Sequence, residues 1–123
     1  MSPANRRIGI IEDNRLVRES LETVLELKDF QGVGFCSAEE FLNADRTQVS
    51  FAALIVDYRL PGRDGLQLIA ELREQDDETG MILMSGNFDA DIQESADRLG
   101  GVRTLRKPCH PQVLLEALSE IIA

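Results

Sequence analysis

The hydrophobic positions of this chain fall in short bursts, and four of the bursts end abruptly on a polar group. Ile8-Gly9-Ile10-Ile11 runs into Glu12-Asp13, and Ala52-Ala53-Leu54-Ile55-Val56 runs into Asp57. Met81-Ile82-Leu83-Met84 runs into Ser85, and the segment Val102 to Arg106 runs into Lys107-Pro108. Apolar runs this short, separated by segments of helical period, predict strands of a parallel sheet covered on both faces. A further strand is predicted over about Gly32 to Cys36. In a parallel sheet every strand points the same way, so residues just past the strand ends gather along one edge. That edge is where open α/β folds bind ligands. Glu12, Asp13, Asp57, Ser85 and Lys107 are therefore predicted to meet in one cleft.

Between the strands the apolar residues recur at helical spacing. Asn14 predicts the N-cap of a helix through about Lys28, with Val17, Leu21, Val24 and Leu25 as its apolar stripe. Ser37-Ala38-Glu39-Glu40 reads as a capping box, in which the Ser37 hydroxyl and the Glu40 carboxylate each satisfy an orphan backbone N–H. Phe41 and Leu42 then anchor that short helix. The loop Tyr58-Arg59-Leu60-Pro61-Gly62-Arg63 is dense in turn signals, and Asp64 predicts the cap of a third helix. Its core face is read as Leu66, Ile69 and Leu72, with Leu68 beside it. A fourth helix over about Ala90 to Leu99 has only Ile92, Ala96 and Leu99 on its apolar face before Gly100-Gly101 stops it. A helix that buries so little is held weakly and can shift at modest cost. Pro111 predicts the start of the last helix, whose buried stripe is Leu114, Leu118, Ile121 and Ile122. The alternation leaves no linker or repeat, and one domain over residues 1–123 is expected.

Composition narrows the function. A net charge of −9 argues against binding nucleic acid through the bulk surface. Arg98, Arg103 and Arg106 could form a local basic patch, but a solvated surface is the better reading. No apolar stretch approaches the roughly 20 residues a membrane span needs. The basic start at Arg6-Arg7 lacks the long apolar middle of a signal peptide, since Glu12 and Asp13 interrupt it. A cytoplasmic location is the expectation. Cys36 and Cys109 have neither metal-ligand nor redox spacing; Cys36 is expected in the core, and Cys109-His110 on a turn before the last helix.

The chemistry rests on the strand ends. Three neighbouring carboxylates repel one another unless a cation sits among them, and hard oxygen ligands with room for water suit Mg²⁺. Lys107 offers a compact positive charge for a phosphate oxygen, Ser85 a hydroxyl donor, and Gly86 close backbone approach. Phosphoryl transfer requires this set, because its catalysis is mostly positioning and charge neutralisation. An aspartate can itself be the nucleophile, and Asp57, at the end of the central apolar strand, is the candidate.

These residues, in this order and spacing, resemble the receiver domain of two-component response regulators along essentially the whole chain. The matching elements are Glu12-Asp13, Asp57 within Val56-Asp57-Tyr58-Arg59-Leu60-Pro61-Gly62, Gly65, Ser85-Gly86 and Lys107-Pro108. The resemblance implies a flavodoxin-like five-stranded parallel sheet in order 2-1-3-4-5 with five helices. It implies phosphoryl transfer from a histidine kinase or phosphotransfer histidine onto Asp57. Mg²⁺ would be bound by Asp13, Asp57 and the backbone carbonyl of Arg59, with Glu12 acting through water. Ser85 and Lys107 would contact the arriving phosphoryl group, and a cis peptide at Lys107-Pro108 is implied. Such a protein accepts a phosphoryl group, and sheds it by autodephosphorylation, rather than turning over substrate as an enzyme. Receivers usually carry Tyr or Phe three residues before the lysine, where this chain has Thr104. Coupling is therefore expected to run through Ser85 and the Gly86-Asn87-Phe88 loop, with Phe88 a candidate substitute for the missing ring. Output is expected on the surface of the fourth helix, fifth strand and fifth helix, through which a homodimer could form.

Two other classes share parts of this pattern. A haloacid-dehalogenase-type phosphatase needs a second acid two residues after its nucleophile, where this chain has Arg59. A flavodoxin-like electron carrier needs a hydroxyl- and glycine-rich loop after the first strand, where Glu12-Asp13 would repel a flavin phosphate. Within the receiver family, Ser37-Ala38-Glu39-Glu40-Phe41-Leu42 looks like receivers that precede a helix-turn-helix output domain. A complete single-domain regulator and the receiver of a longer DNA-binding regulator or hybrid kinase both stay open.

Overall fold

The computed structural model describes residues 5–44, 50–87 and 89–122. Along the chain, strands and helices alternate: β1 (Arg7–Ile11), α1 (Arg15–Glu26), β2 (Gln31–Phe35), α2 (Ala38–Asn43) and β3 (Ala53–Asp57). They are followed by α3 (Gly65–Glu74), β4 (Gly80–Ser85), α4 (Ala90–Leu99), β5 (Val102–Arg106) and α5 (Pro111–Ile122). All strand pairings are parallel, in the order β2-β1-β3-β4-β5. This is the flavodoxin-like order that the resemblance implied.

The unbroken apolar runs have a simple cause. Strand side chains alternate between faces, and both faces are covered. Ile8, Ile10, Ile55, Ile82 and Met84 pack with Leu25, Leu114 and Leu118 on the side of α1 and α5. Ile11, Leu54, Val56, Met81 and Leu83 pack with Phe41, Leu68, Ile69, Leu72 and Ala96 on the other side. Every residue of β3 is buried, so the strand that ends on Asp57 lies in the middle of both cores.

Helix starts follow their caps. Asn14, Asp64 and Asp89 each accept a backbone N–H from three residues on, at Val17, Gln67 and Ile92. The box at Ser37 is half formed: its hydroxyl accepts from the Glu40 N–H, but the Glu40 carboxylate turns to the backbone and thiol of Cys36. Cys36 is exposed, just past the end of β2, and not the core residue expected from sequence. On α3, Leu68 is fully buried and Leu66 only partly, reversing their expected places. On α5 the buried stripe is Leu114, Leu115, Ala117 and Leu118, with Ile121 and Ile122 at its margin. Helix α1 ends two residues before Lys28. Helix α4 buries Ala96 alone, as its thin face foretold.

Among the described residues, no helix is long and apolar enough to cross a membrane.

Candidate functional site

Parallel register decides which polar residues meet. Ile11 pairs with Val56, Asp57 with Met84, and Ser85 with Arg106. The residues that follow these positions, Glu12-Asp13 and Lys107, therefore leave the sheet at one edge beside Asp57. Backbone bonds hold the edge beyond the ladder: Glu12 N–H donates to the Phe35 carbonyl, Tyr58 N–H to Met84, and Lys107 N–H to Ser85. Carboxylate oxygens of Glu12, Asp13 and Asp57 lie within 4.8 Å of one another.

The cluster contains its own countercharge. Lys107 Nζ donates to Glu12 Oε1 at 2.7 Å and pairs with Asp57 Oδ1 at 3.0 Å. Glu12 and Asp57 are 3% and 7% exposed, and their one cationic partner among the described residues reaches both. Burial pushes the Lys107 ammonium down, but hydrogen bonds and charge from Glu12 and Asp57 outweigh it, and the net shift is upward from 10.5. Asp13 is exposed on the solvent side of the group. Two protected carboxylates and one open to water make a donor set suited to Mg²⁺, which keeps several waters and takes few protein ligands.

Around this core the remaining residues are placed as follows. Ser85 is 3% exposed, and its hydroxyl is closed onto the next loop: it donates to the Asn87 carbonyl and accepts the Asn87 N–H. Arg59 is exposed in the loop after β3. Gly65 brings α3 against that loop, where a Cβ would stand 2.5 Å from the Asp57 carbonyl oxygen. The Lys107-Pro108 peptide is cis. Thr104 is half-buried on β5, and its hydroxyl donates to the Gln93 side-chain oxygen on α4 at 2.9 Å. Phe88 lies outside the described residues.

The Cys109-His110 pair does no joint chemistry. The Cys109 thiol points to the His110 backbone carbonyl, while the imidazole Nδ1 accepts the Gln112 N–H as a cap for α5. Beside this turn, an open apolar groove of about 460 Å³ runs along α1, lined by Leu16, Leu21, Met84, Pro108 and Cys109 and reaching Lys107. Leu16 stands 75% exposed at its rim. Sequence reasoning missed this groove because Leu16 falls off the α1 stripe that the helical period marks.

Comparison with known proteins now decides the family. The model of the response regulator receiver domain matches residues 8–119. The chain belongs to the receiver family. It is 33% identical over 101 residues to the transcriptional regulatory protein FixJ of Bradyrhizobium diazoefficiens, covering 82% of this chain and 49% of that protein. FixJ of Azorhizobium caulinodans is 30% identical over 116 residues, covering 94% of this chain and 54% of that one. The receiver thus spans about half the length of these relatives. Among solved structures, a receiver domain protein from Methylobacillus flagellatus superposes with a TM-score of 0.83 at 28% identity, over 96% of this chain and 99% of that one. The chemotaxis protein CheY4 of Vibrio cholerae superposes at 0.86 with 19% identity, over 96% and 99% of the two chains, which speaks to the fold alone.

Family and geometry agree on the chemistry. The acidic cluster of Glu12, Asp13 and Asp57 has the character of a receiver's phosphoaccepting aspartate and Mg²⁺ site. The dehalogenase-like and flavodoxin-like alternatives fall with the family assignment. The chemistry of a receiver domain is that of a phosphoacceptor, not of substrate turnover.

Proposed function

We propose that Asp57 is the phosphoacceptor, and that Asp13, Asp57 and the Arg59 carbonyl bind Mg²⁺ while Glu12 acts through water. The observation that carries this reading is the placement of Asp57 at the end of the fully buried central strand, with Lys107 on one oxygen. In the reaction an Asp57 carboxylate oxygen attacks phosphorus. The P–O bond forms as the P–N bond of a phosphohistidine donor breaks, and the electron pair returns to the imidazole nitrogen. Bound Mg²⁺ supplies charge neutralisation for the phosphoryl oxygens. Lys107 is drawn from its carboxylate partners toward the new anion. Ser85 exchanges its Asn87 partners for a phosphoryl oxygen, and the β4–α4 loop follows.

The switch ends at Thr104. Its hydrogen bond to Gln93 joins β5 to α4, the helix with the smallest buried face, so motion of the loop before α4 acts on this link. The α1 groove suits the apolar face of a helix carrying the donor histidine, because it opens beside Lys107. The face of α4, β5 and α5 bears charges of both signs that pair internally, Arg98 with Glu94 and Arg103 with Glu120. In a symmetric dimer the same charges can exchange between copies.

Incubation with acetyl phosphate and Mg²⁺ tests the core of the proposal. Intact mass should rise by one phosphoryl group, and Asp57→Asn should abolish the gain. Label persisting in that variant, or found on His110, sinks the assignment. Beryllofluoride should shift the amide signals of α4 and β5 and raise the molar mass measured by light scattering. Shifts confined to the metal site would sink the switch, and an unchanged mass would sink the dimer.

A further inference from the structure

The Asp13 carboxylate has no side-chain hydrogen bond or ion pair among the described residues, although it is the exposed one of the two proposed carboxylate ligands. Among the described residues, nothing beyond its own backbone aims it. That backbone is held from two sides. The Glu12 N–H is tied to the Phe35 carbonyl of β2 at 3.0 Å, and the Glu12 carbonyl accepts a hydrogen bond from Arg18 Nη1 at 2.7 Å. The Glu12 carbonyl and the Asp13 N–H belong to one planar peptide unit, so holding the first sets the direction in which Asp13 leaves it.

Arg18 is built into this position. It sits on the second turn of α1, half-buried, and forms no ion pair among the described residues. Its side chain lies across β2 at Gly34, where a Cβ would come within 3.2 Å of Arg18 Cδ and 3.5 Å of Nε. The missing side chain at Gly34 therefore opens the path by which the guanidinium reaches the end of β1. A guanidinium that pairs with a carbonyl in preference to the carboxylates of so acidic a chain is placed there by geometry rather than by charge.

We infer that Arg18 is a positioning residue of the metal site, fixing the Glu12–Asp13 peptide so that the Asp13 carboxylate meets a divalent cation. The inference rests on the reading of Asp13 as a Mg²⁺ ligand. Its sign separates it from electrostatics: removing a cation near a cation site, by itself, tightens Mg²⁺ binding, whereas losing the clamp weakens it. Outer-shell partners of metal ligands typically contribute about 10- to 100-fold in affinity, and the lower end is expected here because water can replace part of the bond.

The test titrates MgCl₂ into unphosphorylated protein and follows backbone amide shifts, with metal-free melting run in parallel. Arg18→Gln should raise the Mg²⁺ Kd about tenfold, and Arg18→Lys, which keeps one donor, should fall between it and the wild type. Should Arg18→Gln not fold, Arg18→Met decides, since it keeps most of the stem that packs at Gly34 and removes the donor to the Glu12 carbonyl, and it should also weaken binding. A Kd unchanged or tightened in the deciding variant overturns the inference, even if its melting temperature falls. Wild-type protein with no saturable shift, or Asp13→Ala binding as well as wild type, overturns the metal reading itself.

Discussion

Lys107 is the residue whose removal the structure makes most consequential. Its side chain is 28% exposed, while the two carboxylates it touches, on Glu12 and Asp57, are buried. Lys107→Met retains most of the stem's packing but strands two protected carboxylates without their cation. Breaking a buried ion pair from one side costs about 3–5 kcal/mol. Because water already reaches the Lys107 ammonium, a loss of about 2 kcal/mol is expected in chelator, or several degrees in melting temperature. Mg²⁺ then acts as a substitute charge. The variant has no ammonium competing for the same oxygens, so the ion should bind more tightly than in wild type, and a tenfold gain narrows the stability gap by about 1.4 kcal/mol. Urea unfolding followed by circular dichroism, with EDTA and with saturating Mg²⁺, reads both quantities. Equal stabilities in EDTA, or a gap that Mg²⁺ leaves untouched, would refute the view that Lys107 is the cluster's resident countercharge.

The remaining expectations use the same geometry. The Lys107 pKa is raised in the folded state, so its contribution is fully present below the unfolded value near 10.5 and is lost as pH rises through the higher folded value; the wild-type advantage over Lys107→Met should hold to about pH 10 and close above it. Gly65→Ala places a methyl 2.5 Å from the Asp57 carbonyl oxygen and 3.0 Å from Tyr58 Cα, and overpacking against backbone should cost about 1–3 kcal/mol. Gly86→Ala, whose methyl meets nothing within 4 Å among the described residues, should change urea stability by less than about 0.5 kcal/mol. Asp13→Ala should leave metal-free stability unchanged or raise it, since it removes an exposed charge from a crowded group; clear destabilisation in EDTA would assign Asp13 a structural part. Thr104→Val deletes the donor to Gln93 and should cost about 0.5–1.5 kcal/mol. It should also reduce the α4 amide shifts caused by beryllofluoride, and full-sized shifts would remove Thr104 from the switch.

Local chemistry was legible wherever one residue and its near neighbours decide the outcome. Asn14 and Asp64 cap helices because a short polar side chain before an apolar stripe can reach a backbone N–H three residues on, which is a local event. The strands were legible because a sheet buried on both faces demands continuous apolar runs, and the cleft because parallel strands share one polar edge. The same logic failed at Cys36, which lies one residue past the end of β2, exposed and hydrogen-bonded to Glu40. It failed also at Leu66 and Leu68, since helical period gives the width of a stripe but not its rotation against the sheet.

What the sequence by itself determined, then, is the order of elements, the identity of the polar groups at the strand ends, and through them the family. Tertiary structure alone decided how those groups are partnered. Lys107 is 95 residues from Glu12, Thr104 is 11 from Gln93, and Arg18 reaches back six residues across the space that Gly34 leaves empty. Pairings at such distances depend on register, helix rotation and the room between side chains. Those are properties of the packed chain, and no local pattern in the amino-acid order encodes them.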